Sequence, residues 1–305
     1  MTRVSSFGQQ QVVLNGLLQS QSSLFKDQKQ VASGKIHDTY QEFTGEVSTL
    51  LGTKSILDRT ESFIGASTHV IRNLDINDLQ LKNIIGKAEA IRHSVLETIA
   101  QDKTFVMMDV IRESFSSMVS SLNTDLGGAH IFSGGRTDVP PVVGNQLSDL
   151  VAAVAAGDLF QNDQNKAVAK IGKNTNMEYG LLADGVATNI FAAIKNIGDF
   201  DNITPISGAL TPAQRTFLES QLAVFDTAIE ELRIVNSNNG TRYSRADEIF
   251  EEHKGRETFM LSFISDIEDV NMAEAITRVN NDQIALEVSY KLTGELNKLS
   301  LLNYI

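Results

Sequence analysis

The stretch "QQQVVLNGLLQSQSSLFKDQKQVA", residues 9–32, decides how the rest of the chain is read. Leu17, Leu24 and Val31 recur at steps of seven, and Leu18, Phe25 and Ala32 form a second row beside them. Two adjacent apolar rows at this spacing run along one side of a helix and call for a helical partner. The remainder is polar, with seven glutamines between positions 9 and 30. Ser33-Gly34 offers a helix stop just past the last seam residue. Residues 35–43, "KIHDTYQEF", have no clean period and read as a link.

The partner for such a helix is sought at the other end of the chain. Met272, Val279 and Leu286 step by seven there, with Ile276 and Tyr290 on a neighbouring row. Between the two ends lie further helical segments. Over residues 44–126, Leu74, Leu81, Ala88 and Val95 repeat every seven residues, with Ile84 and Ile91 offset by three. A break is expected near "NLDIND", residues 73–78, whose side chains compete with the helix for local hydrogen bonds. Residues 213–235 and 241–300 read as helix again, separated by a turn at "NSNNG", 236–240.

All the helix breakers gather in the middle. The four prolines are Pro140, Pro141, Pro205 and Pro212, and "AHIFSGGRTDVPP", residues 129–141, ends the first helical region. Residues 137–211 form an insert of different composition. It holds a short helix in "LSDLVAAVAAGDLF", two short strands in "KAVAKIGKNTNMEYGLLAD" and another helix in "VATNIFAAIKNI". Thr211-Pro212 is a helix start, with a capping hydroxyl followed by proline at the first helical position.

The expected fold is therefore mostly α: a long antiparallel helical rod with paired terminal helices as a coiled coil and a small α+β central insert. The expected division is a terminal domain of residues 1–38 with 265–305, a helical domain of 39–136 with 212–264, and the insert at 137–211.

Bulk properties narrow the function. Among 305 residues, 26 are basic and 38 acidic, a formal charge of −12 that repels a phosphate backbone or an anionic membrane surface. Nucleic-acid partners and membrane insertion are thus not expected, and no apolar run is long enough to span a bilayer. Cysteine is absent, which removes disulfides and thiolate chemistry. The five histidines show no metal-binding spacing and are expected at solvated or interfacial positions. "FSGGR" lacks a phosphate-loop pattern and reads as a turn, and no Ser has a nucleophile-elbow context. No residue supports an enzyme, a cofactor or a metal site.

The stretch "SDIEDVNMAEAITRVNNDQIALEVSYKLTGELNKLSLLNYI", residues 265–305, resembles the carboxyl end of the flagellin family. Ile267-Glu268-Asp269, Ala273-Glu274-Ala275 and Leu299-Ser300-Leu301-Leu302 carry the resemblance. "QVASGKI", residues 30–36, is similar to the family's close of the N-terminal helix, and "GGAHIFSGGRTD", 127–138, to its passage into the variable part. Within the family, the ending, "IFSGGRTDVPPV" and "YGLLAD" are closer to subunits of the hook–filament junction than to filament subunits.

The resemblance implies a structural subunit of the bacterial flagellum, exported without a cleaved signal peptide. Its partners would be copies of itself in a ring or filament, other subunits of the hook junction and filament, and an export chaperone. Leu17, Leu24, Val31, Val279, Leu286 and Leu292 are the expected contacts of the inner coiled coil. The filament subunit itself is the alternative within the family, and a cytosolic coiled-coil adaptor is the alternative outside it.

Overall fold

A computed structural model describes residues 6–43, 45–102, 104 and 106–298, with the backbone alone at 6, 7, 9, 10 and 296–298. Among the described residues the chain is mostly α, with a small α+β insert. The helices are α1 (Ser6–Ser33), α2 (Val47–Gln101), α3 (Met107–Leu122), α4 (Leu147–Ala152), α5 (Ala183–Ile203), α6 (Pro212–Glu268) and α7 (Met272–Lys298). Two antiparallel hairpins complete it, β1 (Asp125–Leu126) with β2 (Ala129–His130) and β3 (Val168–Lys170) with β4 (Asn176–Glu178). None of the helices is long and apolar enough to cross a membrane. The chain divides into two compact units, residues 60–255 and residues 1–59 with 256–305.

In the unit of residues 60–255, α2 and α6 run antiparallel. Arg233 binds Glu89 at 2.7 Å, Arg92 binds Asp226, and the Asn239 amide reaches the Leu74 carbonyl at 2.8 Å. The seven-residue row read from the sequence is the buried face of α2: Leu74, Leu81, Ile84, Ala88, Ile91 and Val95 are all fully buried. Against this face pack Ile111, Phe115 and Met118 of α3, Ile190, Phe191 and Ile194 of α5, and Leu218, Phe225 and Leu232 of α6. Phe191 sits between Phe115 and Phe160, at ring separations of 4.9 and 5.5 Å. The insert's longest helix is therefore part of the main core of this unit.

The β3–β4 hairpin clips onto both long helices. Ile171 and Met177 join Val70, Leu74 and Ala246 in a second apolar cluster. Asn77 of α2 donates to the Tyr179 carbonyl at 3.2 Å, and the Nε2 of His253 on α6 lies 2.7 Å from the Ile171 carbonyl. His253 is buried and stacked on Phe63, which corrects the expectation of a solvated or interfacial histidine.

Two expected breaks are absent. Helix α2 runs unbroken through residues 73–78, and α6 runs unbroken through 236–240. The polar side chains expected to unwind them have found other partners: Asn73 donates to the His69 carbonyl within the helix, Asn77 to the hairpin and Asn239 to α2. Helix α2 ends instead at Gln101, followed by Asp102 at a positive φ, and α6 ends at Glu268. Beyond it the Asn271 side chain caps α7, accepting the amides of Ala273 and Glu274 at 3.2 and 3.3 Å.

The start of α6 follows the sequence reading, with the Gln214 amide donating to the Thr211 hydroxyl at 3.3 Å. So does the "SGGR" turn. Gly134 has φ +69°, and the Gly135 amide donates to Asp163 at 2.7 Å.

In the unit of residues 1–59 with 256–305, α1 and α7 lie antiparallel, while Leu50 and Leu57 of α2 pack with Ile264, Met260 and Ile267 of α6. Gly34, at φ +71°, ends α1, its amide donating to the Gln30 carbonyl at 2.8 Å.

Candidate functional site

The α1–α7 pair is held by a thin seam. On α1 the partly or fully buried positions include Val13, Leu17, Ser20, Leu24, Asp27 and Val31, alternating by four and three. On α7 Ala275, Val279, Asp282, Leu286, Ser289 and Thr293 alternate in the same way. This is the spacing of a two-helix coiled coil, but Ser, Thr and Asp occupy several of its core positions.

The polar positions are tied across the pair. Asp27, buried on α1, lies 3.4 Å from Arg278 of α7, which also donates to Gln30 at 2.8 Å. Further along, Gln21 donates to the Tyr290 hydroxyl at 2.7 Å. One Asp282 carboxylate oxygen is buried without a hydrogen-bond partner.

Of the six residues expected to form the inner contacts, Leu17, Leu24 and Val31 lie on one seam and Val279 and Leu286 on the other. Leu292 does not: it is 50% exposed, and Thr293 takes its seam position. Leu292 instead continues an outer row with Ile284 and Val288, while α1 carries its own outer row of Leu14, Leu18 and Phe25. Phe25 is 69% exposed and Ile284 61%. Both helices of the pair thus bury a mixed apolar and polar seam against each other and leave a second, apolar row uncovered. Large apolar side chains aligned in this way mark an interaction surface.

At the base of the pair the two connections leading into it run side by side. The Ile36 amide donates to the Glu268 carbonyl at 2.8 Å, and the Val270 amide to the Gly34 carbonyl at 2.9 Å. Lys35 binds Asp269 at 2.6 Å and Glu268 at 3.2 Å, while Lys54 of α2 binds the other oxygen of Glu268. Burial opposes the charge on Glu268, yet hydrogen bonds from Lys54 and Lys35 hold its carboxyl below the ordinary value. The Lys35 hydrogen bond likewise lowers Asp269, and the same bonds raise both lysines.

Residues 222–305, from within α6 to the end of the chain, match the family model of the bacterial flagellin C-terminal helical region. This part of the chain is similar to the flagellin C-terminal region. It contains Glu268, Asp269 and Val270 of the base, the α7 seam and the outer row of Ile284, Val288 and Leu292; Leu299 to Leu302, which share in the resemblance, lie outside the described residues.

Two solved structures share the fold. A flagellar hook-associated protein from Vibrio parahaemolyticus matches over 75% of this chain and 100% of its own, at a TM-score of 0.61 and 15% identity. FlgL of Bacillus cereus matches over 70% of this chain and 98% of its own, at a TM-score of 0.54 and 10% identity. No curated protein matches the chain in sequence.

A 740 Å³ cleft in the 60–255 unit is lined by Arg112, Asn145, Gln146, Ser148 and Asp201, among others, and Arg112 is engaged by Asp109 at 2.6 Å. Among the described residues no group of three His, Asp or Glu could hold a metal.

Proposed function

We propose that the chain is the subunit that joins the flagellar hook to the filament, assembling with copies of itself and with neighbouring flagellar subunits through α1 and α7. The observation that carries this reading is the second apolar row on each helix of the pair, uncovered in the single chain. A seam this polar gives the pair little stability of its own, so further helices laid against Leu14, Leu18 and Phe25, or Ile284, Val288 and Leu292, complete its burial. The description of the Vibrio parahaemolyticus neighbour as hook-associated favours a place at the hook over the filament.

In this reading the subunit leaves the cell without a cleaved signal, and a chaperone covers the apolar rows before export. The filament subunit is the second reading, favoured by the description of the matching family model. Self-assembly of the purified chain, followed by sedimentation and electron microscopy, tests the role of the outer rows. Phe25→Asp combined with Ile284→Asp is expected to abolish assembly while the monomer keeps its helical circular dichroism. Assembly at the wild-type level in that variant would contradict the reading.

A further inference from the structure

Glu268 stands where three separate parts of the chain meet: the link after α1, the beginning of α2 and the end of α6. Its residue is 8% exposed, and its two carboxylate oxygens are divided between Lys35 and Lys54, more than 200 residues away in sequence. Its backbone carbonyl accepts the Ile36 amide, so the side chain and main chain of one residue hold the same link. Lys54 in turn reaches the Tyr40 hydroxyl at 3.3 Å and lies over the Tyr40 ring.

We infer that Glu268 is a positioning residue for the α1–α7 pair, a charged node that ties both connections entering the pair to the start of α2. This rests on the assembly reading above for its purpose, but the clasp itself can be tested on the monomer.

The physical argument is one of constraint. The α1–α7 seam is thin, and the connection from α6 into it is only the three residues 269–271. The main-chain bridge between the connections consists of hydrogen bonds from the Ile36 and Val270 amides. Glu268 adds two charge-assisted bonds in a largely buried setting, where such bonds are stronger than on an open surface. The charged and titratable groups around it are Lys35, His37, Asp38 and Tyr40 from the link, Lys54 from α2 and the adjacent Asp269. The near neighbours bonded to it are both cationic, so a neutral side chain of the same shape would remove the counter-charge bonded to Lys54 and leave Lys35 to Asp269.

The experiment is hydrogen exchange of the Ile36 and Val270 amides in the full chain, compared between wild type, Glu268→Gln and Glu268→Asp over a range of pH. Glu268→Gln is expected to speed exchange at both amides at least tenfold at neutral pH, with the amides of Leu81 and Phe225 unchanged. Glu268→Asp should restore part of the protection. Wild-type protection should fall as the carboxylate is neutralised by acid, and Glu268→Gln should lack that step. Unchanged exchange in Glu268→Gln overturns the inference, as does an identical acid profile in the two proteins. In a parallel assembly assay, loss of assembly in Glu268→Gln supports the positioning role. Normal assembly with a loosened clasp overturns that role. Failure of the wild type itself to assemble, with the exchange results as expected, would count against the assembly reading and leave the clasp standing.

Discussion

The side-chain amide of Asn239, at the middle of α6, donates to the backbone carbonyl of Leu74 on α2 at 2.8 Å across 165 residues of sequence. Both residues are essentially inaccessible to solvent. The bond ties the two long helices at a level where Asn77 and Ser67 are also buried, beside the apolar cluster of Val70, Leu74 and Ala246. A polar residue in a buried helix face specifies alignment at a cost in stability.

Asn239→Ala removes this bond, and it is expected to lower the stability of the 60–255 unit by about 1 kcal/mol. Urea unfolding followed by circular dichroism measures the shift in midpoint. No shift would mean that the register is set elsewhere.

Leu286 and Leu292 should respond differently to the same substitution. Leu286 is on the seam, so Leu286→Asp places a charge between α1 and α7 and should unpair them, seen as lost helical signal in the monomer. Leu292 is half exposed on the outer row, so Leu292→Asp should leave the monomer's circular dichroism unchanged and impair assembly alone. Equal loss of helix in both variants would contradict the two-row arrangement.

Asp282 carries a buried oxygen without a partner on the α7 seam. Replacing it with leucine removes that unsatisfied group and adds apolar contact, so Asp282→Leu should stabilise the α1–α7 pair by about 1 kcal/mol. Slower cleavage within α1 and α7 by limited proteolysis is the expected result.

Gly134 has φ +69°, and a Cβ there would stand 2.2 Å from an Asp163 carboxylate oxygen. Gly134→Ala is expected to cost about 2 kcal/mol, through backbone strain and displacement of Asp163 from the Gly135 amide. Asp163 is held below its ordinary value chiefly by that amide, then by Asn165. A thermal melt of the variant reads the loss.

The folded-state shifts at the clasp give a pH dependence with two edges. Glu268 and Asp269 are lowered, so their contribution is present above the unfolded carboxylate value and lost as pH falls through the folded one. Lys35 and Lys54 are raised, so theirs is present below the unfolded lysine value and lost as pH rises through the folded one. The α1–α7 unit should therefore be most resistant to proteolysis on the broad plateau between, with Lys54→Met shrinking the advantage over the whole plateau.

Much of this was legible from periodicity. The row of Leu74, Leu81, Ala88 and Val95 needed only a helix to define it, and all four are fully buried. The helix start at Thr211-Pro212 and the hairpin around "KNTN" were equally local, since cap and turn chemistry act within a few residues. What failed was local reading of residues with distant partners. Asn77 and Asn239 look like helix breakers until the hairpin and α2 supply their hydrogen bonds. Leu292 looked like a seam residue because it is apolar, but the alternation of three and four leads from Leu286 through Ser289 to Thr293. The division at 59/60 and 255/256 left no mark in composition because it falls inside two continuous helices. The clasp was half visible: Glu268, Asp269 and Lys35 fall in stretches that carry the family resemblance, while Lys54 does not, and nothing in the sequence pairs residues so far apart.

The most direct test of the account is where the protein sits on the cell. Immunogold electron microscopy of intact flagellated cells, with antibody against residues 145–200, should give a single cluster at the distal end of the hook. Label along the whole filament would make the chain the filament subunit instead, and internal label with none on the flagellum would contradict the flagellar assignment altogether.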